Sequence, residues 1–418
     1  MKHRKKLIEV ALPLEAINKE SAREKSVPRH DLGGVVHGEG VFMKKLVILG
    51  TGFSAPAQLP TMPAFRKALK EILPWAGGHQ ASRSANPIPE RTILEAIFAE
   101  WDRRSVACLC KADDLESFCL SVEEKPDPLH LIDGKWPPPD PWDLYASVRY
   151  ATARVCDLKL TQGPTQKPGD VWEKFYLRFA REVTDAGDVR VVTLNYDLLL
   201  DQALIQQRIL PEYHLDPNRV REVNAQCERH KPNGRAKLTL LKPHGSFNWF
   251  VCRNPACRLI SLKWEYGPWD GVFRARPGNW PTGRETHHRE EHHLTGEEAL
   301  QFLFLLPRKE KKQERSFLPE VWQAVESAAV EAEQVFFLGW SAPPSDEHMG
   351  EIFRSCLRPG VKVWVVNLDI KPDIQQRYDA FLPSCVRREY IQVRFGVPSV
   401  GGDPVGLDGS WWTALVRS

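Results

Sequence analysis

Six short runs of Val, Ile, Leu and Phe punctuate the chain: Lys45–Leu49 (KLVIL), Val189–Leu194 (VRVVTL), Lys237–Lys242 (KLTLLK), Gln334–Leu338 (QVFFL), Val361–Val366 (VKVWVV) and Tyr390–Phe395 (YIQVRF). Their apolar positions run on continuously instead of alternating with polar ones. Strands buried on both faces, as in parallel sheets, have this pattern. Between them lie stretches of helical periodicity: Pro63–Trp75, Tyr196–Gln207, Pro319–Glu333 and Asp346–Leu357. Pro319 suits the first turn of its helix, where a missing N–H costs nothing. The alternation predicts an α/β fold, a Rossmann-like parallel sheet flanked by helices.

Two regions break the alternation. Residues of about 75–185 carry long helix-like stretches and a proline-rich segment, GKWPPPDPWD, and read as a mostly helical insertion. Residues of about 250–316, rich in Trp, Gly, Pro and His, read as an irregular, loop-rich insertion. Residues 1–42 are polar and broken by glycines, and Met43 opens the first strand, so they read as a flexible extension or a start placed too far upstream. Residues 43–400 then form the main domain and 401–418 a C-terminal segment.

Composition narrows the function classes. With 418 residues, 42% hydrophobic and 27% charged, the chain can bury a large core. A net charge of +3 makes no global electrostatic case for binding nucleic acid or a membrane surface. No apolar run approaches the roughly 20 residues of a membrane-spanning helix. Nine scattered cysteines form no disulfide framework, which favours a reducing cytoplasm.

The candidate chemistry sits where the strands end. Gly50, Asn195, His244 (after Lys-Pro), Gly339 and Asn367 follow the first five runs. In open α/β sheets, ligands bind beyond the carboxyl ends of the strands. Gly50-Thr51-Gly52-Phe53-Ser54 lets backbone amides approach a pyrophosphate, because glycine has no Cβ. The spacing is not the Gly-x-Gly-x-x-Gly fingerprint, so a plain turn fits it as well as a phosphate site. In TLNYD, Asn195 suits a ribose hydroxyl or a water, or else an Asx turn. His244, in KPHGS, has the side chain most used as a general base near neutral pH. LGWSAPPSD offers Gly339, Ser341 and Asp346, a second cradle for phosphate or ribose, and VVNLD offers Asn367.

Taken in order, GTGFSAP, TLNYD, KPHGS, LGWSAPPSD and VVNLD resemble the sirtuin-like NAD-consuming superfamily, and within it the bacterial branch found in antiphage defence. The resemblance spans Met43 to about Asp369. It implies that Gly50, Gly52, Phe53 and Ser54 form the phosphate-binding loop and Gly339 and Ser341 the later phosphate or ribose loop. It makes Asn367 the adenosine-ribose contact, Asn195 the essential asparagine, Asp197 the acid that meets nicotinamide and His244 the catalytic histidine. Phe65 and Arg66 echo a Phe-Arg pair of the family, displaced by extra residues.

Protein-deacylating sirtuins carry a four-cysteine zinc ribbon after the histidine. Here Cys252 and Cys257 follow the histidine with no second close pair after them, and the HHREEHH cluster (His287–His293) reads better as a solvated face, so no metal is expected. The expectation is an NAD+ glycohydrolase that takes NAD as substrate and depletes it in defence. Such an enzyme must be held silent, which implies a homo-oligomer or a partner protein such as a translocase ATPase or an Argonaute-like protein. An NAD-dependent protein deacylase and a non-catalytic nucleotide-binding assembly subunit are the alternatives.

Overall fold

The computed structural model describes residues 43–74, 90–124, 148–149, 151–156, 159, 171–222, 236–252, 259–262, 300–306, 318–396 and 406–417. Residues 1–42, Cys257 and the His287–His293 cluster lie outside them. The strands, in chain order, are β1 (Lys45–Leu49), β2 (Val189–Thr193), β3 (Ile209–Glu212), β4 (Val220–Glu222), β5 (Ala236–Leu241), β6 (Gly245–Cys252), β7 (Ile260–Leu262), β8 (Leu300–Phe304), β9 (Gln334–Leu338), β10 (Lys362–Asn367) and β11 (Arg387–Gln392). Among the described residues, the helices of eight residues or more are α1 (Phe65–Ile72), α2 (Glu90–Val106), α3 (Leu115–Glu124), α4 (Arg178–Asp185), α5 (Leu199–Gln206), α6 (Pro319–Glu331), α7 (Glu347–Cys356), α8 (Pro372–Phe381) and α9 (Gly409–Val416).

Seven strands form one parallel sheet in the order β11-β10-β9-β1-β2-β5-β3. Successive side chains of a strand point to opposite faces. All five residues of β1 are buried, so both faces of the sheet centre are covered. Helices α6, α7 and α8 pack one against the next, while α4 packs on α5 and α9. The Rossmann-like α/β architecture is therefore present, and all seven strands end at the same edge.

From β1 the chain builds outward through β2, β3 and β5, then returns to the other flank of β1 with β9, β10 and β11. The strand order reverses between β1 and β9, and such a switch point opens a crevice at the carboxyl edge. Here the two loops meet with no room for side chains. Gly50 N–H donates to Leu338 O and Gly52 N–H to Gly339 O, each at 2.9 Å. A Cβ on Gly339 would lie 2.6 Å from Phe53 N, and the residue has φ +67°. Gly339→Ala is expected to destabilise the fold by about 3 kcal/mol or more, through the strained φ and the backbone clash together; a fall in the urea unfolding midpoint measures it.

Several elements differ from the sequence expectation. The stretch read as an irregular insertion supplies β7, β8 and the end of β6, which join β4 in a second, four-stranded sheet. Strand β6 continues directly from the His244 loop and is buried nearly throughout, so it belongs to the core. The last strand begins three residues before the apolar run that announced it, because β11 is a half-exposed edge. The C-terminal segment is also integral. Trp411 and Trp412 of α9 are buried, and the buried Lys45 ammonium donates to the carbonyls of Leu415 (2.9 Å) and Arg417 (3.1 Å). The described parts of residues 75–185 are helical apart from the connection 107–114 between α2 and α3. Among the described residues, no helix is long and apolar enough to cross a membrane.

Candidate functional site

A cavity of about 780 Å³ opens over the switch point, within the size range of small-molecule and cofactor sites. Gly50, Gly52, Asn195, His244, Gly339, Ser341 and Asn367 all line it. These residues are spread over more than 300 positions of sequence, and the common edge of the parallel strands brings them together.

Asn195 follows β2 and is nearly buried. Its Nδ2 donates to Gly50 O and to Ser54 Oγ, both at 2.9 Å. A carbonyl can only accept, so the first of these bonds fixes which end of the amide is which. The amide oxygen, Oδ1, is buried and has no protein partner. Buried acceptors are rarely left unpaired, and this one belongs to a side chain that lines the cavity.

Ser54 and Asp197 stand behind Asn195 and do not line the cavity. Ser54 Oγ accepts from Asn195 and donates to Asp197 Oδ2 at 2.6 Å, while Asp197 Oδ1 accepts the Leu199 N–H at 3.1 Å. The expected contact of Asp197 with a carboxamide is therefore corrected, because both carboxylate oxygens face the protein. Burial pushes the Asp197 carboxyl above the usual carboxylate range, opposed by the Ser54 hydrogen bond. Ser54 likewise supports the asparagine.

Phe53 is corrected too. Its ring packs among Phe175, Tyr176, Phe179 and Phe395, and its N–H is already given to Gly50 O. Phe65 and Arg66 also point elsewhere: Phe65 stacks toward Trp101, and Arg66 pairs with Asp102 and Asp113. The Asn367 amide bridges backbone, donating to Trp340 O and accepting Leu368 N–H, both at 2.9 Å, so it ties the β10 end to the β9 loop at the cavity wall. Ser341 is exposed on the rim of that loop, which also holds Ala342 at φ +48°.

His244 follows β5 on a turn closed by the Gly245 N–H to Lys242 O bond of 2.9 Å, with Gly245 at φ +79°. The ring is 3% exposed, and its Nε2 lies 3.0 Å from Nε2 of His348 and 3.7 Å from Asp346 Oδ1. Below it, the buried Lys242 ammonium pairs with Asp201 Oδ2 at 3.0 Å and donates to Asp197 O at 2.8 Å, while Tyr213 OH donates to Asp201 Oδ1 at 2.6 Å. This network joins the ends of β2 and β5 and so sets the spacing of Asn195 and His244.

Sequence reasoning missed several lining groups. Arg377 and Arg394 bring positive charge to the rim. Arg394 follows β11 by two residues and was within reach of the strand-end logic. Glu116, on α3, reaches the cavity from the helical region. It accepts the Ser345 N–H at 2.9 Å, and burial pushes its carboxyl up, with the negative charge of Asp346 adding to the rise. Trp340 donates its indole N–H to Asp346 Oδ2 at 3.0 Å.

No protein-family model matches the sequence, and no curated protein matches it. Among solved structures, the chain is similar to a Sir2 homologue in complex with NAD, at 12% identity over 89% of this chain and 88% of that one, with a TM-score of 0.35. It is similar at 13% identity to a Sir2 homologue mutant in complex with 2'-O-acetyl ADP-ribose, over 89% and 90% of the two chains, with a TM-score of 0.36. A Sir2Tm structure with a propionylated peptide follows at 11% identity over 83% and 88%, with a TM-score of 0.30. The fold assignment rests on the strand order of this chain itself.

Proposed function

We propose that the protein binds NAD+ across the β1/β9 crevice and hydrolyses the bond between nicotinamide and ribose. The observation that carries this reading is the meeting of Asn195, whose buried amide oxygen is unpaired, with His244 on the wall of one cavity above a glycine floor. The close-packed glycines let the loops after β1 and β9 meet without side chains, so that backbone forms the floor on which the dinucleotide would lie. Asn195 Oδ1 accepts a hydrogen bond from a ribose hydroxyl or from the attacking water. The glycosidic bond breaks with its electron pair going to the pyridinium nitrogen, so nicotinamide leaves neutral and needs no acid. The ribose carbon passes through an oxocarbenium-like state. Water adds there, and His244 takes its proton. Asp197 and Ser54 hold the asparagine in place without touching the substrate.

We assign Arg394, exposed on the cavity rim, to the phosphates, whereas the Arg377 guanidinium is held by Asp373 Oδ2 at 2.6 Å and Ser341 O at 3.2 Å. Arg394→Ala is expected to raise KM for NAD+ about tenfold with kcat little changed, the low end for a charge-assisted bond at an exposed site. The difference from wild type is expected to shrink in high salt, which steady-state kinetics at two ionic strengths will read.

The lack of a second close cysteine pair after His244, where protein-deacylating sirtuins carry a four-cysteine ribbon, favours NAD+ hydrolysis over deacylation. Incubating the purified protein with NAD+, alone and with an acyl-lysine peptide, and separating the products decides between them. Nicotinamide and ADP-ribose without peptide is the expected result; release that requires the peptide makes the protein a deacylase. Tight NAD+ binding with no turnover in either arm makes it a nucleotide-binding subunit.

A further inference from the structure

The base role given to His244 does not account for what surrounds its ring. Three potential ligand atoms, one each from His244, Asp346 and His348, lie within 4.8 Å of one another. They come from two loops at the same sheet edge: His244 from the turn after β5, and Asp346 and His348 from the entry into α7. The Nε2 atoms of the two histidines are 3.0 Å apart, and His244 Nε2 is 3.7 Å from Asp346 Oδ1. Two donors each about 2.1 Å from one metal ion lie about 3.0–3.4 Å apart for bond angles between octahedral and tetrahedral, and an angle near 125° opens that to about 3.7 Å. One ion therefore fits both separations.

The surroundings match a ligand set held in advance. The Trp340 indole N–H binds Asp346 Oδ2 at 3.0 Å, which leaves Oδ1 as the oxygen nearer His244. Outer partners of this kind orient metal ligands and strengthen their sites. The Trp322 ring stands 5.1 Å from the His348 ring and 6.1 Å from the His244 ring, giving the pair an apolar wall. His244 and Asp346 line the cavity, so a coordination position stays open to solvent. Two imidazoles and one carboxylate with an open position suit zinc and its neighbours among the divalent ions.

We propose that His244, Asp346 and His348 bind a divalent transition-metal ion of the zinc class, and that the bound ion keeps the enzyme silent by holding the His244 imidazole as a ligand, so that the ring cannot accept the proton of the attacking water. The silencing half rests on the function proposed above; the site itself does not. A hydrogen bond between the two rings explains the 3.0 Å contact without any ion and predicts no uptake of metal.

The test uses the full chain, stripped with a chelator and titrated with Zn2+ by calorimetry, with metal content read by atomic emission after gel filtration. One ion per chain is expected, with at least tenfold weaker binding in His348→Ala and in Asp346→Asn. Substitution with Co2+ adds a readout that needs no variant. A site of nitrogen and oxygen donors gives weak visible bands and no thiolate charge-transfer band, whereas a site at Cys252 and Cys257 gives that band. No stoichiometric uptake, a thiolate band, or unchanged affinity in both folded variants overturns the proposal. Zn2+ is further expected to suppress NAD+ cleavage by wild type at least tenfold, and the chelator to restore it. Uptake at this site with cleavage undiminished overturns the silencing half alone. If no preparation cleaves NAD+, the function reading fails, while the titration still decides the site.

Discussion

His244→Ala is expected to reduce NAD+ cleavage by about 10²–10⁴-fold, the range typical of losing a positioned acid-base group, and Asn195→Ala by about 10²-fold or more through lost positioning, with the fold retained in each. For His244 the loss follows from removing the proton acceptor. The ring sits on a turn whose backbone bonds do not involve the side chain, so the β5–β6 connection survives. For Asn195 two effects combine. The unpaired acceptor disappears, and Gly50 O and Ser54 Oγ lose a donor. Asn195→Asp is the sharper probe. It keeps the shape and an acceptor, but sets a carboxylate against the Gly50 carbonyl and brings a second negative charge near Asp197. Chromatographic assay of nicotinamide release, alongside circular dichroism, reads both quantities. Full activity in His244→Ala or Asn195→Ala, with the fold intact, refutes the roles assigned to them.

The second large effect is on stability. Lys242→Ala is expected to cost about 3–5 kcal/mol, because it removes the cation that pairs with the Asp201 carboxylate in the interior and leaves the neutral Tyr213 hydroxyl bonded to it. Both side chains are almost fully buried, so solvent screening does not soften the loss. Lys242→Met with Asp201→Leu removes both charges and is expected to be much less destabilising than the sum of the two single changes. Urea unfolding of the four proteins closes the cycle. The double variant is also expected to lower kcat, since the Lys242 bond to Asp197 O no longer ties the β2 loop to the β5 loop. Additive single effects would mean that the pair is not coupled.

Much of this molecule is written in local pattern. A continuous apolar run of five or six residues has few fates other than a strand buried on both faces, and β1, β2, β5, β9 and β10 fall where such runs occur. The parallel sheet follows from the helices between them, and the residues after each strand follow from the sheet, since parallel strands share one carboxyl edge. That reasoning placed Gly50, Gly52, Asn195, His244, Gly339, Ser341 and Asn367 together, and they line one cavity.

The second sheet was not legible in this way. β4, β7 and β8 are three to five residues long and form only by pairing with distant partners, and β6, though eight residues long, is paired by two of them. Side-chain direction was not legible either. Phe53, Ser54 and Asp197 have the residue types of a binding loop, yet one fills an aromatic cluster and the others lock the asparagine from behind. The sequence determined the strands, the common edge and the chemistry carried there, because backbone periodicity is a property of neighbours along the chain. Which of those side chains face the cavity, and that His348 meets a histidine 104 positions earlier, was decided by tertiary packing, because such contacts depend on how distant loops close on each other.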